Sequence, residues 1–497
     1  MQSGSASRDG GFLICTDDEK QLIVRKDGKS EEFFRRFISG NDFINNKIRW
    51  CIWLKNVSPE KFKHIQEFQE RFKSVRAFRE DSARSGTKKM ANLPYLFAEE
   101  RQPEDDFLLI PKVSSENRTY IPIAYLSKDY IITDKTLNWL KTERTEEEPF
   151  LLMYLHKAPH REWLPPERHY KTFTKKTFPE PETLFDNYEG RGSAAKEAEM
   201  NLLTHMNWAG DSKIRPEVMD ELGIPETAKW DKGAYKREVG RQNEAQRAKW
   251  DAVYDPIIAD FEKNYPSMDD KQLMEYKYQR YMQDYLGTIA SVDDNVGRVL
   301  DYLDEEKLAD NTIVIYTSDQ GFYLGEHGWF DKRFMYNESF KTPLLIKWPN
   351  KITAGTTEDE MVQNLDFAQT FLEIAGVEAP KDMQGESLVP LLAGKKEAWD
   401  RDAVYYHYYE YPGEHAVKRH YGIATKEYKL IHFYHDVNEW ELYDSKKDPN
   451  EVNNVYNDPN YAEVAKEMTQ KLKDVRKKYK DSETLDNHYI ELYNKKK

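Results

Sequence analysis

The stretch TSDQGFYLGEHGWFDKRFMYNESFKTPLLIKWP, residues 317–349, holds the densest group of side chains that could do chemistry. Asp319 and Gln320 follow an apolar run, so their side-chain oxygens can lie where a buried strand ends. Two adjacent oxygen ligands are part of a site for a hard cation such as calcium. His327 and Lys332 add donors that suit an anionic group. Asp-Gln-Gly alone is also an ordinary turn, so the surrounding sequence has to distinguish a metal site from a turn.

Three continuous apolar runs could position these side chains: PFLLMYL (149–155), TIVIYTSD (312–319) and TPLLIKWP (342–349). Runs that are apolar on both faces are typical of parallel strands covered by helices. Apolar residues recur every three or four positions between 281 and 303, which predicts such a helix. Its predicted buried side comprises Leu286, Ile289, Val292, Val296, Val299 and Leu303.

Two further regions complete this part of the chain. Residues 168–280 are charged and rich in Tyr and Trp, and they predict an insertion of helices and ordered loops near the strand ends. From about Ala403 the pattern alternates again (AVYYHYYEY, YGIATKEYKLIHFY, EWELYD), which predicts a small antiparallel sheet. The charged segment at 461–481 predicts a terminal helix packed on that sheet.

The order of these motifs resembles the sulfatase family of the alkaline-phosphatase-like superfamily. SDQG, then LGEHG, a lysine and an apolar strand resemble the family's second metal-binding motif, and LLMYLHKAPHREWLP resembles its strand that ends in a Lys/His pair. NLDFAQTFLEIAG, QGESLVPLL and ELYDSKKDPNEVNNVYNDP resemble later family segments. The resemblance covers about residues 133–497 and is nearest to bacterial glycan sulfatases of the N-acetylglucosamine-6-sulfatase or iduronate-sulfatase type.

The resemblance implies a catalytic centre for sulfate-ester hydrolysis on a sulfated glycan or glycosaminoglycan fragment. Asp319 and Gln320 would be calcium ligands, and Lys332 would contact the sulfate and the bridging oxygen. His160 would protonate the departing alcohol while Lys157 neutralises charge, which lowers the barrier to expelling an alkoxide. His327 would line the substrate side.

Other residues near these motifs have weaker assignments. His156, in the same loop as His160, is as readily a structural residue. A basic group stands where such enzymes often hold sugar-recognition residues, although a solvated loop explains it equally well. The group comprises His415, Lys418, Arg419 and His420.

The family's nucleophile is missing. Sulfatases carry a Cys or Ser in a C/S-x-P/A-S-R context, from which formylglycine is made. Cys15 is followed by Thr-Asp-Asp and Cys51 by Ile-Trp-Leu, and no serine has that context. The two aspartates that the family takes from its first strand are missing too. Because calcium prefers six to eight oxygens, the expected site is incomplete and catalysis by this polypeptide is improbable.

The first part of the chain resembles something else. GNDFINNKIRWCIWL, SVRAFREDSARSGTKKMANLPYLFAEERQP and LLIPKVSSENRTYIPIAYL resemble the target-recognition region of fused type II restriction-modification DNA adenine methyltransferases. The catalytic Asn-Pro-Pro-Tyr and the glycine-rich cofactor loop of those enzymes are absent. Residues 71–89 hold seven basic and two acidic side chains, which suits phosphate contact. An incomplete domain without a function of its own is the alternative.

Local patterns in this first part predict strands and one helix. Period-two runs and the Asp-Gly at 27–28 indicate strands and a hairpin, at 12–18, 21–28, 50–56, 106–113 and 120–126. An apolar stripe at helical spacing predicts a helix with one core face. The stripe comprises Phe62, Ile65, Phe68, Phe72, Val75 and Phe78.

Composition and charge limit the classes of protein to which the chain can belong. The net charge of −14 falls on the part after residue 132, since residues 1–132 carry 23 Lys and Arg against 20 Asp and Glu. Two cysteines exclude a disulfide framework and a cysteine-based zinc site. Because the N-terminus lacks an apolar signal region and no run has the length of a membrane span, we expect a cytoplasmic chain without membrane contact. Intact sulfatase relatives are expected to be periplasmic or secreted.

The sequence thus predicts an α/β protein: an incomplete alkaline-phosphatase-like mixed sheet between helices, a small C-terminal antiparallel sheet with a helix, and a separate N-terminal α+β fragment. The predicted boundaries are 1–132, 133–400 and 401–497. Two functions follow, a glycan sulfatase that lacks its nucleophile and a DNA-binding remnant of a methyltransferase that acts through 1–132.

Overall fold

The computed structural model describes residues 9–37, 49–55, 57–82, 85–97, 129–144, 148–228 and 230–494. The chain divides into two compact units, Met1–Lys157 and Ala158–Lys497. Among the described residues, no helix has both the length and the apolar character that crossing a membrane requires.

The first unit is built on a three-stranded antiparallel sheet of order β1-β3-β2, with β1 at Ile14–Thr16, β2 at Phe34–Phe37 and β3 at Arg49–Ile52. Its helices are α1 (Asp17–Lys26), α2 (Gln66–Glu80), α3 (Ser85–Lys89) and α4 (Asp129–Thr142). The strand predicted at 21–28 is wrong, because α1 covers most of it. Thr16 and Glu19 form a capping box at its start. The box supplies hydrogen-bond acceptors to backbone N–H groups that have no partner in the first turn of a helix.

The apolar stripe forms a core face, as the spacing predicts. Phe68, Phe72 and Val75 of α2 are buried, and Phe62 and Ile65 join the same cluster from the preceding turn. Phe78 departs from the pattern and is 45% exposed. The strands predicted at 106–113 and 120–126 lie outside the described residues.

The segment 149–155 forms no strand, which corrects the prediction of a buried one. Leu151, Met153 and Leu155 are exposed by 67%, 60% and 50%, so every second side chain points into solvent. The other side of the segment contacts α4, where Phe150 packs edge-on against Trp139. An isolated extended segment has no sheet neighbour with which to pair its backbone.

The second unit begins with helices, as predicted for 168–280. They are α5 (Ser193–Glu197), α6 (Pro216–Leu222), α7 (Asp231–Val239), α8 (Glu244–Asn264) and α9 (Asp270–Glu305). The helix predicted between 281 and 303 is confirmed as the second half of α9. Val292, Val299 and Leu303 are buried there, while Leu286 and Ile289 are half-buried against an aromatic cluster.

Short strands and helices connect α9 to the C-terminal sheet. They are β4 (Val314–Thr317), β5 (Tyr323–Leu324), β6 (Phe330–Asp331), α10 (Asn337–Phe340), β7 (Leu344–Lys347), α11 (Asp366–Ile374) and α12 (Val389–Leu392). β4 pairs with β7 in antiparallel register, Val314 opposite Lys347. The expectation of parallel strands is therefore wrong for this pair, whose connection contains the four-residue helix α10 in place of the long crossover helix that usually joins parallel neighbours.

The C-terminal antiparallel sheet is confirmed. Its order is β11-β10-β9-β8, with β8 at Val404–Tyr408, β9 at His420–Ala424, β10 at Tyr428–Phe433 and β11 at Glu439–Asp444. Helices α13 (Ala462–Lys478) and α14 (Glu483–Asn494) follow, and α13 packs on one face through Met468 and Leu472. The other face packs against Trp329, Phe334 and Tyr336. This sheet therefore supports the segment that carries the candidate site.

Candidate functional site

Asp319 and Gln320 lie just beyond the end of β4. Asp319 is exposed, its Oδ1 lies 3.4 Å from Ser318 Oγ, and its carbonyl accepts a 2.8 Å hydrogen bond from Asn364 Nδ2. A Cβ at Gly321 would lie 2.0 Å from the carbonyl oxygen of Glu338. Only glycine allows this close approach, so the chain turns sharply after the two predicted metal ligands.

Asp331, at the end of β6, is the centre of a buried charged cluster. Its carboxylate pairs with the guanidinium of Arg333 and lies 3.8 Å from Lys332 Nζ. His415 Nε2 lies 3.2 Å from the second carboxylate oxygen. Lys332, Arg333 and His415 are only 9%, 12% and 11% exposed, so their contacts with Asp331 have little solvent screening. We call Arg161, Asp331, Lys332, Arg333 and His415 the Asp331 cluster.

Arg161 joins the cluster from the segment after the Lys/His pair. Its guanidinium makes a two-point ion pair with Asp211 and lies 4.9 Å from the ring centre of Phe330, the neighbour of Asp331. His160, next to it, is half-buried, and its Nδ1 lies 2.9 Å from the carbonyl oxygen of Arg161. The structure therefore places His160 beside a member of the Asp331 cluster.

The backbone of the Asp331 cluster is strained. Asp331, Arg333 and His415 have φ values of 75°, 104° and 63°, in the region that side chains other than glycine avoid. Surrounding contacts hold them there: Arg333 N donates to Ser339 Oγ at 2.8 Å, and Glu199 N donates to the carbonyl of His415 at 2.8 Å. Strain maintained at several neighbouring residues is typical of functional sites.

The cluster favours a charged Asp331 and a surplus of positive charge. Burial alone would raise the pKa of Asp331, but the hydrogen bond with His415 and the charges of Arg333 and Lys332 outweigh it, and the pKa lies well below its usual range. Burial lowers the pKa of Lys332 from its ordinary value, and Asp331 opposes that effect. Two carboxylates, those of Asp331 and Asp211, among the three cations Arg161, Lys332 and Arg333 suit an anionic ligand that also carries hydroxyl groups.

His327 does not line a surface, contrary to the role that the resemblance implied. It is fully buried, with Nδ1 2.9 Å from Asp186 Oδ2 and the ring against Trp329 and Tyr336. Burial, and next the positive charge of Arg191, lower its pKa to about 4. In this position His327 supports the loop from within.

Only His415 of the basic group in the C-terminal part reaches the Asp331 cluster. His420 is fully buried among the rings of Phe334, Tyr406 and Phe433. Arg419 is 2% exposed and binds Asp436 at 2.7 Å. The sugar-contact roles expected for His420 and Arg419 are therefore at odds with their burial, and the alternative of a solvated loop is wrong for them as well.

Lys157 belongs to the first unit and is half-buried there, so its role beside His160 stays a prediction.

Sequence reasoning missed Asp331, Arg333 and Arg161. The signal was the run Asp-Lys-Arg between the aromatic residues of GWF and FMY, since charged residues inside an apolar stretch are costly to bury unless they are paired.

Among the described residues, Asp319 belongs to no group of three His, Cys, Asp or Glu side chains that could share an ion. Within the described ranges, the one group of three His, Cys, Asp or Glu side chains close enough to share an ion is His407, Asp481 and Asp486, near the C-terminus. Arg476 Nη2 lies 2.8 Å from Asp486, so that group already has a cation. Two oxygen ligands fall far short of the six to eight that calcium prefers.

Neither cysteine is suited to be a nucleophile. Cys15 on β1 and Cys51 on β3 are buried in the core of the first unit. Burial raises the pKa of Cys15 to about 11 and that of Cys51 to about 12. The thiolate, which is the reactive form, is therefore scarce at neutral pH.

The fold and the motif order define the class of this protein. The chain belongs to the sulfatase family, whose model matches residues 75–377. A model described as N-sulphoglucosamine sulphohydrolase, C-terminal, matches residues 325–478, and one described as MmeI, target recognition domain, matches residues 1–146. Both resemblances seen in the sequence are thereby confirmed.

Individual relatives show how much of a sulfatase is present. The N-acetylglucosamine-6-O-sulfatase of Bacteroides thetaiotaomicron is 50% identical over 355 residues, which are 71% of this chain and 62% of that protein. A solved structure, described as a complex with its substrate D-glucosamine-2-N,6-O-disulfate, matches with a TM-score of 0.66 at 46% identity and covers 74% of this chain and 72% of the other. The chain therefore spans less than two thirds of that curated sulfatase.

The first part of the chain has a relative of another kind. DNA methyltransferase A of Bacillus subtilis is 34% identical over 134 residues, which are 27% of this chain and 15% of that protein.

Proposed function

We propose that this chain forms the sugar-binding and leaving-group side of a sulfatase centre for 6-sulfated glucosamine units, and that it does not turn over substrate by itself. The Asp331 cluster carries this proposal. It brings a carboxylate, a lysine, an arginine and a histidine together from segments that are 84 residues apart, Asp331 and His415. The relative's substrate, a sulfated glucosamine, has the chemistry that such a group would recognise.

Four members of the cluster would each contact such a ligand. The carboxylate of Asp331 accepts hydrogen bonds from sugar hydroxyl groups, and Arg333 and His415 donate to hydroxyl oxygens. Lys332 Nζ binds a sulfate oxygen, since charge-assisted hydrogen bonds to a compact anion are strong. His160 protonates the departing sugar oxygen. Asp319 and Gln320 would hold one side of a calcium ion.

Binding without catalysis tests the proposal. The full chain is titrated with D-glucosamine 6-sulfate and with D-glucosamine in a calorimeter. We expect binding of the sulfated sugar only, and a loss of at least about tenfold in affinity in His415→Ala and Arg333→Met, roughly 1.4 kcal/mol or more. His488→Ala is the matched control, because His488 is exposed on α14. Equal affinity in His415→Ala and His488→Ala would contradict the proposed site.

DNA binding by the first unit is a second candidate, which the match of residues 1–146 to a target-recognition domain favours. The basic stretch supports it only in part. Arg79 donates to the carbonyls of Met90, Leu93 and Leu96, so it holds the fold together. In the described part of the stretch, Lys73, Arg76, Lys88 and Lys89 are exposed, although Arg76 also donates to the carbonyl of Ala91 at 3.4 Å.

A salt series separates DNA binding from a purely structural role. If the first unit contacts DNA, affinity of the full chain for duplex DNA falls with salt, and Lys88→Ala with Lys89→Ala reduces the log–log slope by about two. Lys446→Ala with Lys447→Ala, a pair of exposed lysines in the C-terminal part, serves as the control. The absence of salt-dependent binding at low ionic strength would remove this candidate.

A further inference from the structure

Trp230 is an exposed aromatic residue beside the Asp331 cluster, immediately before α7. It is 40% exposed, although tryptophan is a residue type that is highly buried on average. The guanidinium of Arg161, a member of the cluster, lies 5.0 Å from the centre of the Trp230 ring. The sugar contacts proposed for the cluster do not involve this ring, so its exposure beside the site has no explanation in them.

Arg161 contacts two aromatic rings that differ in exposure. Besides Trp230, the ring of Phe330 lies 4.9 Å from the same guanidinium. Phe330 precedes Asp331 in the chain, is fully buried, and packs edge-on against the ring of His415 with 5.1 Å between the ring centres. A continuous series of contacts therefore leads from His415 in the cluster, through Phe330 and Arg161, to an aromatic ring that reaches solvent.

One buried loop holds both Arg161 and the chain at Trp230. Asp211 in that loop makes the two-point ion pair with Arg161. Residues 208–210 of the loop donate three backbone hydrogen bonds, of 2.8–3.0 Å, to the carboxylate of Asp231. Asp231 follows Trp230 in the chain and is fully buried. Because the same loop fixes both positions, the exposed ring is held at a defined place beside the cluster, which reduces the entropy lost when a ligand contacts it.

The chemistry of the ring favours an uncharged ligand with an apolar face. A second cation is disfavoured, because Arg161 already places a positive charge at this ring. An anion is disfavoured by the negative face of the aromatic system. A neutral pyranose fits, since one face of its ring carries C–H groups that pack on a flat indole while its hydroxyl groups stay in water.

The proposed function then decides which sugar this is. In it, the Asp331 cluster binds the hydroxyl groups of one glucosamine 6-sulfate unit, which are its 3- and 4-hydroxyls. The nitrogen occupies the second carbon and the sulfate the sixth, so the anomeric carbon is the position left through which the unit joins another sugar. A glycan chain bound in this way leaves the cluster at its anomeric carbon.

We propose that Trp230 forms the wall of a second subsite, which binds the neutral sugar joined to the anomeric carbon of the glucosamine 6-sulfate unit. This rests on the proposed function and adds recognition of the next unit in the glycan. The Asp331 cluster binds the sulfated unit, and the Trp230 ring packs against the face of its neighbour.

Calorimetry with the full chain compares two ligands. They are D-glucosamine 6-sulfate and the disaccharide in which this unit is joined through its anomeric carbon to N-acetylglucosamine. We expect the disaccharide to bind about three- to tenfold more tightly, the range that one aromatic contact supplies. In Trp230→Ala the two affinities should become nearly equal, while that for the single sugar stays within about twofold of the parent value. Phe185→Ala is the matched control and should keep the parent ratio, because Phe185 is 43% exposed and has Lys271 5.2 Å from its ring centre.

Several results would overturn the subsite. They are equal affinities of the two ligands in the parent chain, a ratio that Trp230→Ala leaves unchanged, or an equal loss for both ligands, which would mean that the ring only supports Arg161. Trp230→Leu is a second variant, which keeps an apolar side chain next to Arg161 without a flat ring and should also lose the ratio. Affinity for the single sugar tests the proposed function and the ratio tests the subsite, so the two failures are distinguishable.

Discussion

Two buried histidines make the fold sensitive to acid. His420 sits among aromatic rings, donates from Nδ1 to the carbonyl of Lys418 at 2.8 Å, and its Nε2 has no hydrogen-bond partner in the described part of the chain. Burial lowers the pKa of His420 to about 3 and that of His327 to about 4. Between those values and the ordinary 6.5, the unfolded chain binds protons that the folded chain does not. Stability is therefore complete above about pH 6.5 and falls as the pH drops below it.

We predict that His420→Phe reduces this acid sensitivity. The ring is kept while the titratable group is removed, so the loss of unfolding free energy between pH 7.5 and 5.0 becomes smaller by about 2 kcal/mol. Urea unfolding at both pH values measures the difference. His488→Phe, at an exposed position, should leave the pH dependence unchanged. An equal pH dependence in His420→Phe and the parent chain would show that His420 is protonated in the folded state.

At the scale of elements, substituting two glycines of α9 distinguishes the effect of tight packing on stability from the effect of helix propensity. A Cβ at Gly287 would lie 2.8 Å from Cγ of Pro165, whereas Gly297 has open space around that position. Gly297→Ala should raise the free energy of unfolding by about 0.5–1 kcal/mol, because alanine loses less backbone entropy. Gly287→Ala should lower it by roughly 1–3 kcal/mol through overpacking. Thermal melts of both variants test this, and stabilisation by both would mean that α9 does not pack tightly on Pro165.

A buried ion pair links the C-terminal sheet to the site. Lys429 Nζ lies 2.6 Å from Glu451 and 2.9 Å from Asn337 Oδ1, and both members of the pair are 1% exposed. We predict that Lys429→Met costs roughly 3–5 kcal/mol, because it leaves a buried carboxylate unpaired. Adding Glu451→Gln should recover at least about half of that loss.

A double-mutant cycle by urea unfolding measures the Lys429–Glu451 coupling. The exposed pair Lys446–Glu427, at 68% and 57% exposure, is the matched control and should contribute less than about 1 kcal/mol. A loss in Lys429→Met as small as that in Lys446→Met would show that Glu451 finds another partner.

At the scale of the whole molecule, the chain should show no sulfatase turnover. On the proposed function, the Asp331 cluster binds a sulfate but the covalent route is lost with the nucleophile, a loss that commonly removes about six orders of magnitude in rate. The assay is release of alcohol from a chromogenic sulfate ester, with and without a co-expressed formylglycine-generating enzyme. Turnover that disappears in Cys51→Ala would show that Cys51 is the nucleophile after all.

Much of this protein could be predicted from its sequence. The period of α9 and the alternation of β8–β11 follow from local side-chain patterns, and the order of the motifs carries the resemblance to the sulfatase family. The position of Asp319 and Gln320 after an apolar run predicts them as metal ligands, and Lys332 is predicted as a donor to an anionic group. The prediction that this chain lacks the family's nucleophile likewise comes from the sequence alone.

Only the tertiary structure brings Asp331, Arg333, Arg161 and His415 together. It also shows that His415 reaches the site whereas His420, five residues later, lies in the core. The sequence predicts buried strands at 149–155 and at β4, yet side chains of both segments are exposed in the structure. An apolar run predicts that both faces of a strand will be buried. Whether they are buried depends on which other strands and helices pack against that strand in the folded chain.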